Sequence, residues 1–131
     1  MSPRSRPFTQ PCRLTTRQIL KLRLHPQPDA VIGAGALIRV RIEGDAPADA
    51  LAPLVAEHLF RSPLQTGAIL ALESELDLPA HAFAHSYLRI HVDRDEDGRV
   101  TVGDQVSFQA HHLARAIRDE GLDVPLQLVT N

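Results

Sequence analysis

Tryptophan is absent from the 131 residues, and the chain holds one tyrosine (Tyr87), four phenylalanines, one lysine (Lys21) and one cysteine (Cys12). A lone cysteine excludes an internal disulfide framework and any multi-cysteine zinc site. So few rings leave little for sugar platforms or for stacking the bases of single-stranded nucleic acid. No window approaches the roughly 20 apolar residues of a membrane-spanning helix. Nor does an apolar core of about 7–15 residues follow the basic start, as a signal peptide requires. Thr9-Gln10-Pro11-Cys12 lacks the small and apolar residues that precede a lipidated cysteine. These features leave two readings, a cytoplasmic protein or an export segment outside this sequence. What remains is 44% apolar and 23% charged, ordinary for a soluble chain with a buried core. The length fits one domain.

The net charge of −2 is unevenly spread. Residues 1–28 carry Arg4, Arg6, Arg13, Arg17, Lys21 and Arg23 and no acid, which leaves 8 basic against 16 acidic residues in the remainder. Ser, Pro and Arg dominate the first seventeen residues, so residues 1–17 are expected to be a flexible basic arm ahead of a domain over 18–131. The acidic body would repel a phosphate backbone, and no nucleic-acid partner is expected.

Hydrophobic periodicity is that of strands. Gln18–Leu24 sets Leu20, Leu22 and Leu24 against Lys21 and Arg23, and Leu37–Ile42 sets Ile38, Val40 and Ile42 against Arg39 and Arg41. Period two means a half-buried strand. The same alternation runs through Ile69–Leu76 and Ser86–Val92, and Arg99–Val102, Val106–Ala110 and Val124–Val129 supply further extended candidates. Leu54–Arg61 is compatible with a helical stripe or an edge strand. Asp45–Pro53, rich in alanine, could open a helix, and a short helix is expected near 112–120, with Leu113, Ala116 and Ile117 as its apolar face. The fold class is all-β, a single-domain β-sandwich of about seven or eight short strands.

One stretch has a specific spacing. Asp93-Arg94-Asp95-Glu96-Asp97-Gly98-Arg99-Val100-Thr101-Val102-Gly103-Asp104 places acids at positions 1, 3 and 5, glycine at 6 and an acid at 12 of a calcium loop. Calcium takes about 6–8 oxygens, so the loop must turn three side chains and one carbonyl inward. Asp93, Asp95 and Asp97 would supply side chains, Arg99 its backbone carbonyl and Asp104 the closing carboxylate. The same residues also suit an acidic hairpin tip. Asp104 is shorter than the usual closing glutamate, and the flanks read as strands.

No catalytic set stands out. The serines lie in no nucleophile elbow, Cys12 sits in the arm, and Glu73 and Glu75 share a strand face without an aromatic cleft. His81 and His85 with His111 offer a conceivable zinc set, against the plainer reading of surface histidines. An enzyme is not expected.

Segment order carries a resemblance. An early alternating strand leads through an Ala/Pro-rich link to Leu54-Val55-Ala56-Glu57-His58-Leu59-Phe60. Ser86-Tyr87-Leu88-Arg89-Ile90-His91-Val92-Asp93 follows, then Asp97-Gly98-Arg99-Val100, Gly103-Asp104 and Val124-Pro125-Leu126-Gln127-Leu128-Val129. Over about Leu20–Val129 this resembles the small lipoprotein family of YscW-type secretin pilotins of type III secretion and YbaY-like lipoproteins. The resemblance implies a compact β-sandwich with no small-molecule substrate. It implies a chaperone that binds the C-terminal segment of a secretin subunit and escorts it to the outer membrane. It also places the protein at the periplasmic face of that membrane and makes Leu54–Phe60 a strand. Such a task needs an apolar strip or an unpaired strand edge, for which Leu64, Ile69 and Leu70, or the Leu113/Ile117 face, are candidates. A calcium-stabilised accessory or adhesion sandwich is the alternative.

Overall fold

Alternation in the sequence becomes strands with one aliphatic side, because successive side chains of an extended backbone point to opposite faces. In the computed structural model, which describes residues 15–45 and 51–131, Leu20, Leu22 and Leu24 are buried while Lys21 and Arg23 face outward. The strands are β1 (Thr15–His25), β2 (Leu37–Gly44), β3 (Leu54–Arg61), β4 (Leu70–Pro79), β5 (Ser86–Asp93), β6 (Gln105–Ser107), β7 (His111–His112) and β8 (Leu122–Leu128). Two short helices interrupt them, α1 (Ala80–His85) and α2 (Leu113–Ala116). Strand β1 begins at Thr15, so residues 15–17 of the expected arm are strand; residues 1–14, with Cys12, lie outside the described residues. The alanine-rich helix start expected at 45–53 falls mostly on residues 46–50, also outside them.

All eight strands join one mixed sheet in the order β3-β2-β5-β6-β8-β1-β4, with β7 on β5. The fold is therefore all-β and single-domain. Its two layers are the arms of one curled sheet, joined through β8. That strand pairs in parallel with β1 from Leu122 to Pro125, then antiparallel with β6 from Leu126 to Leu128. Pro125 stands at the switch, at the last pair of the parallel ladder. Arg23 fastens the parallel pair from outside, reaching both Asp123 oxygens at 2.7 and 3.0 Å and the Glu120 carbonyl at 2.6 Å.

Both arms feed one core. Leu20, Leu22 and Leu24 of β1, Leu76 of β4 and Val124 of β8 meet Ile38, Val40 and Ile42 of β2 and Leu88 and Ile90 of β5. Burying each such side chain contributes about 1.5–3 kcal/mol. Leu113 and Ala116 of α2 and Ala82 and Phe83 of α1 add to it.

One ambiguity resolves and two local expectations change. The ambiguous 54–61 stretch is a strand, and Pro53 lies just ahead of it. Arg99–Val102 is not extended ladder; the chain there is a loop turned by Gly98 (φ 79°) and Gly103 (φ 98°), conformations that favour glycine. The helix expected near 112–120 shrinks to Leu113–Ala116, because His112 pairs with Tyr87 in the sheet and no side chain caps the helix start. In its place, Pro79 starts a six-residue helix, α1, that carries His81 and His85.

Candidate functional site

Strands β3 and β4 end the sheet, so each presents one backbone edge that is unpaired among the described residues. An unpaired edge is a template for another chain. On β3, Ala56 and Phe60 pack against the core, while Leu54 (51% exposed), Val55 (40%) and Leu59 (56%) face solvent. Leu51 lies exposed just ahead of them. A cleft of about 260 Å³ opens beside the start of this strand, between Gly44, Val55, Pro79 and α1. On β4 the exposed positions are Ala71, Glu73, Glu75, Asp77 and the terminal Pro79. Lys21 stands opposite Glu73 and Arg17 opposite Asp77 in the register with β1, an arrangement that matches charges across the pair.

The outer face of β3-β2-β5 carries an ion-pair ladder. Arg39 Nε donates to Asp93 Oδ2 at 2.9 Å, and its Nη1 lies 3.7 Å from Glu57. Arg41 bridges Glu57 (3.4 Å) and Glu43 (3.5 Å), and Arg89 reaches Glu43 at 3.0 Å. Strand β3 is thus pinned through Glu57 to arginines of β2.

Asp93 links that ladder to the acidic loop. It is fully buried, and Gly98 N–H donates to its Oδ2 at 2.9 Å, while Oδ1 has no partner among the described residues. Burial pushes the Asp93 carboxyl up, but the Arg39 guanidinium, the Gly98 amide and nearby His91 outweigh it and hold the group at about 2. Asp93, Asp95 and Asp97 each bring one carboxylate oxygen within 4.8 Å of the others. Asp95 accepts the Thr101 hydroxyl (3.1 Å), and Asp97 Oδ1 accepts the Arg99 amide (2.9 Å). Glu96, at φ 58°, points to Arg61 of β3 in a two-bond pair of 2.6 and 2.9 Å, which holds its carboxyl below the usual range.

Asp104 stands apart from Asp95 and Asp97. It groups with His91 and Asp93 in a buried trio. Its Oδ2 meets His91 Nε2 at 2.7 Å and the Thr101 amide at 3.1 Å, and its Oδ1 accepts the Arg94 amide at 3.0 Å. Burial raises the Asp104 carboxyl, but these donors prevail and lower it. Asp104 closes the loop by binding backbone amides at both ends. Of the five residues read as a calcium set, three side chains meet at Asp93, Asp95 and Asp97, and the fourth is occupied elsewhere.

Other candidates separate. His81 and His85 are exposed on α1 and His111 is buried on β7; among the described residues the ligand groupings are those two around Asp93, and none includes these histidines. Leu64 and Ile69 are exposed, but Leu70 is buried, Leu113 is wholly buried and Ile117 packs on the core, so the Leu113/Ile117 face is not a free strip. Sequence reasoning offered 54–61 as a helical stripe or an edge strand, and the border position of β3 bears out the second; it did not single out the exposed Leu54, Val55 and Leu59 as the docking strip.

No family model matches the chain, and no curated protein matches it. Fold and border strands define a small all-β domain with an apolar edge that is unpaired among the described residues. Among solved structures it is similar to an alternative pilotin from the type II secretion system of Vibrio cholerae, with a TM-score of 0.59 at 15% identity over 88% of this chain and 100% of that one. At that identity the likeness is one of fold, and the chain has a pilotin-like fold.

Proposed function

We propose that the protein is a non-enzymatic, pilotin-type chaperone that holds the C-terminal segment of a secretin subunit and aids its delivery to the outer membrane. The observation that carries this reading is the pilotin-like fold, whose free edge at β3 is apolar. An extended partner segment would add to β3 as a further strand, its backbone pairing with the open ladder and its alternate side chains resting near Leu54 and Leu59. On this reading the working place is the periplasmic face of the outer membrane. The sequence resemblance points to a type III system, while the structural neighbour belongs to a type II system. Secretin C-terminal peptides of both kinds therefore serve as probes. Co-purification with one of them, and a rise in melting temperature on mixing, are expected. Absence of capture and of any shift with both kinds would overturn the proposal.

The alternative, a calcium-stabilised accessory or adhesion protein, draws its support from the Asp93 loop and its unpartnered buried oxygen.

A further inference from the structure

We propose that the turn at Asp93–Arg99 is a calcium site, with Asp93 Oδ1, Asp95 and Asp97 as carboxylate ligands and the Arg99 carbonyl as a fourth. One atom carries the inference. Asp93 is wholly buried, and its Oδ2 already receives Arg39 Nε and Gly98 N–H. Oδ1 is buried as well and has no hydrogen-bond partner among the described residues. An ionised carboxylate oxygen withdrawn from water without a donor is costly, and native folds leave few such atoms. The loop also gathers negative charge beside this carboxylate. Asp95 and Asp97 bring oxygens within 4.8 Å of the Asp93 carboxylate, and neither forms an ion pair with Lys or Arg among the described residues, unlike Glu96 with Arg61. A divalent cation would give Oδ1 its missing partner and offset the repulsion among the three carboxylates.

The donor set selects the ion. It is all oxygen, and two of its side chains are exposed, so water can complete the shell. Calcium accepts 6–8 oxygens in adaptable geometry, whereas magnesium demands a near-octahedral shell. Arg39 does not compete, since it occupies Oδ2. Asp104, both of whose oxygens are held by His91 and backbone amides, does not close the site as a bidentate ligand. The affinity then falls in the range of extracellular modules, about 10⁻⁴–10⁻³ M. Bound calcium would stiffen the β5–β6 connection, which Arg61 ties to β3 and Arg39 ties to β2. This site is independent of the secretin reading.

The test uses the full chain in chelator-stripped buffer with calcium alone, followed by titration calorimetry, melting and amide spectra. One ion per chain, a raised melting temperature and shifted Gly98 and Arg99 amide signals are expected. The double variant D95N/D97N alters two exposed side chains. It should bind calcium at least about tenfold more weakly, while its melting temperature in chelator stays level or rises. No calcium-dependent change up to about 10 mM, well above the expected range, would overturn the proposal. So would an equal response in the double variant, or stabilisation by zinc at His91 in place of calcium.

Discussion

The two ends of the sheet are built by opposite means. Strand β4 is held from beneath, with Leu70, Leu76 and Leu78 buried, and shows solvent a row of Glu73, Glu75 and Asp77. Strand β3 has no fully buried residue; Phe60 and Ala56 reach the core in part, Glu57 is tied to Arg39 and Arg41, and Leu54, Val55 and Leu59 face outward. Charge along an edge discourages strand addition, and an aliphatic edge invites it. One border is anchored and guarded; the other is lightly held and open. A fold can therefore keep one edge for stability and leave the other for a partner.

Truncation should separate the two most strongly. Leu76→Ala in β4 is expected to cost about 2–5 kcal/mol, measured by denaturant unfolding, whereas Leu59→Ala in β3 should stay within about 0.5 kcal/mol. Equal losses would erase the distinction. Acid offers a second separation. The folded Asp93 carboxyl is depressed to about 2, below its unfolded value near 3.8. Its contribution is therefore present above about pH 4 and is lost as pH falls through about 2. That amounts to about 2 kcal/mol. Because Asp93 holds Arg39, which faces Glu57, amide exchange should quicken in β3 before β4 between pH 4 and pH 2. Simultaneous loosening would contradict the ion-pair account of β3.

Binding sharpens the contrast further. Leu59→Lys should weaken capture of a secretin C-terminal peptide about tenfold, near 1.4 kcal/mol, without changing the melting temperature. Glu75→Lys on the guarded edge should leave capture unchanged, and the reverse pattern would move the partner to β4. The smallest effect lies away from both borders. His111 is buried on β7 with Nε2 unpartnered among the described residues, and burial together with Arg115 lowers its pKa. Folding then favours the neutral ring. Stability should be full above about pH 6.5 and should decline as pH falls below it, until folded His111 protonates. Denaturation at pH 7.5 and 5.5 checks this, and His111→Asn should remove the slope.

Much of this was legible in the chain. Leu20-Lys21-Leu22-Arg23-Leu24 and Ile38-Arg39-Val40-Arg41-Ile42 name their own inward faces, because a strand has only two sides. Local pattern could not reveal pairing. That Leu122–Leu128 would change partners at Pro125, or that 54–61 would settle as an edge strand and not as a helix, depends on residues distant in sequence. The loop shows the same division. Spacing brought out Asp93, Asp95 and Asp97, which do converge. It also offered Asp104, whose oxygens are engaged by His91 and by the amides of Arg94 and Thr101. Those competing donors belong to the folded backbone and leave no mark on residue order. The helix near 112–120 is present but shortened to Leu113–Ala116 for a related reason, since sheet pairing by His111 and His112 limits it at its start.

The most direct test is amide exchange mapped residue by residue with a secretin C-terminal peptide bound. Added protection along Leu54–Arg61, with β4 unchanged, is the predicted result. Protection confined to β4, or no protected strand at all, would contradict the account.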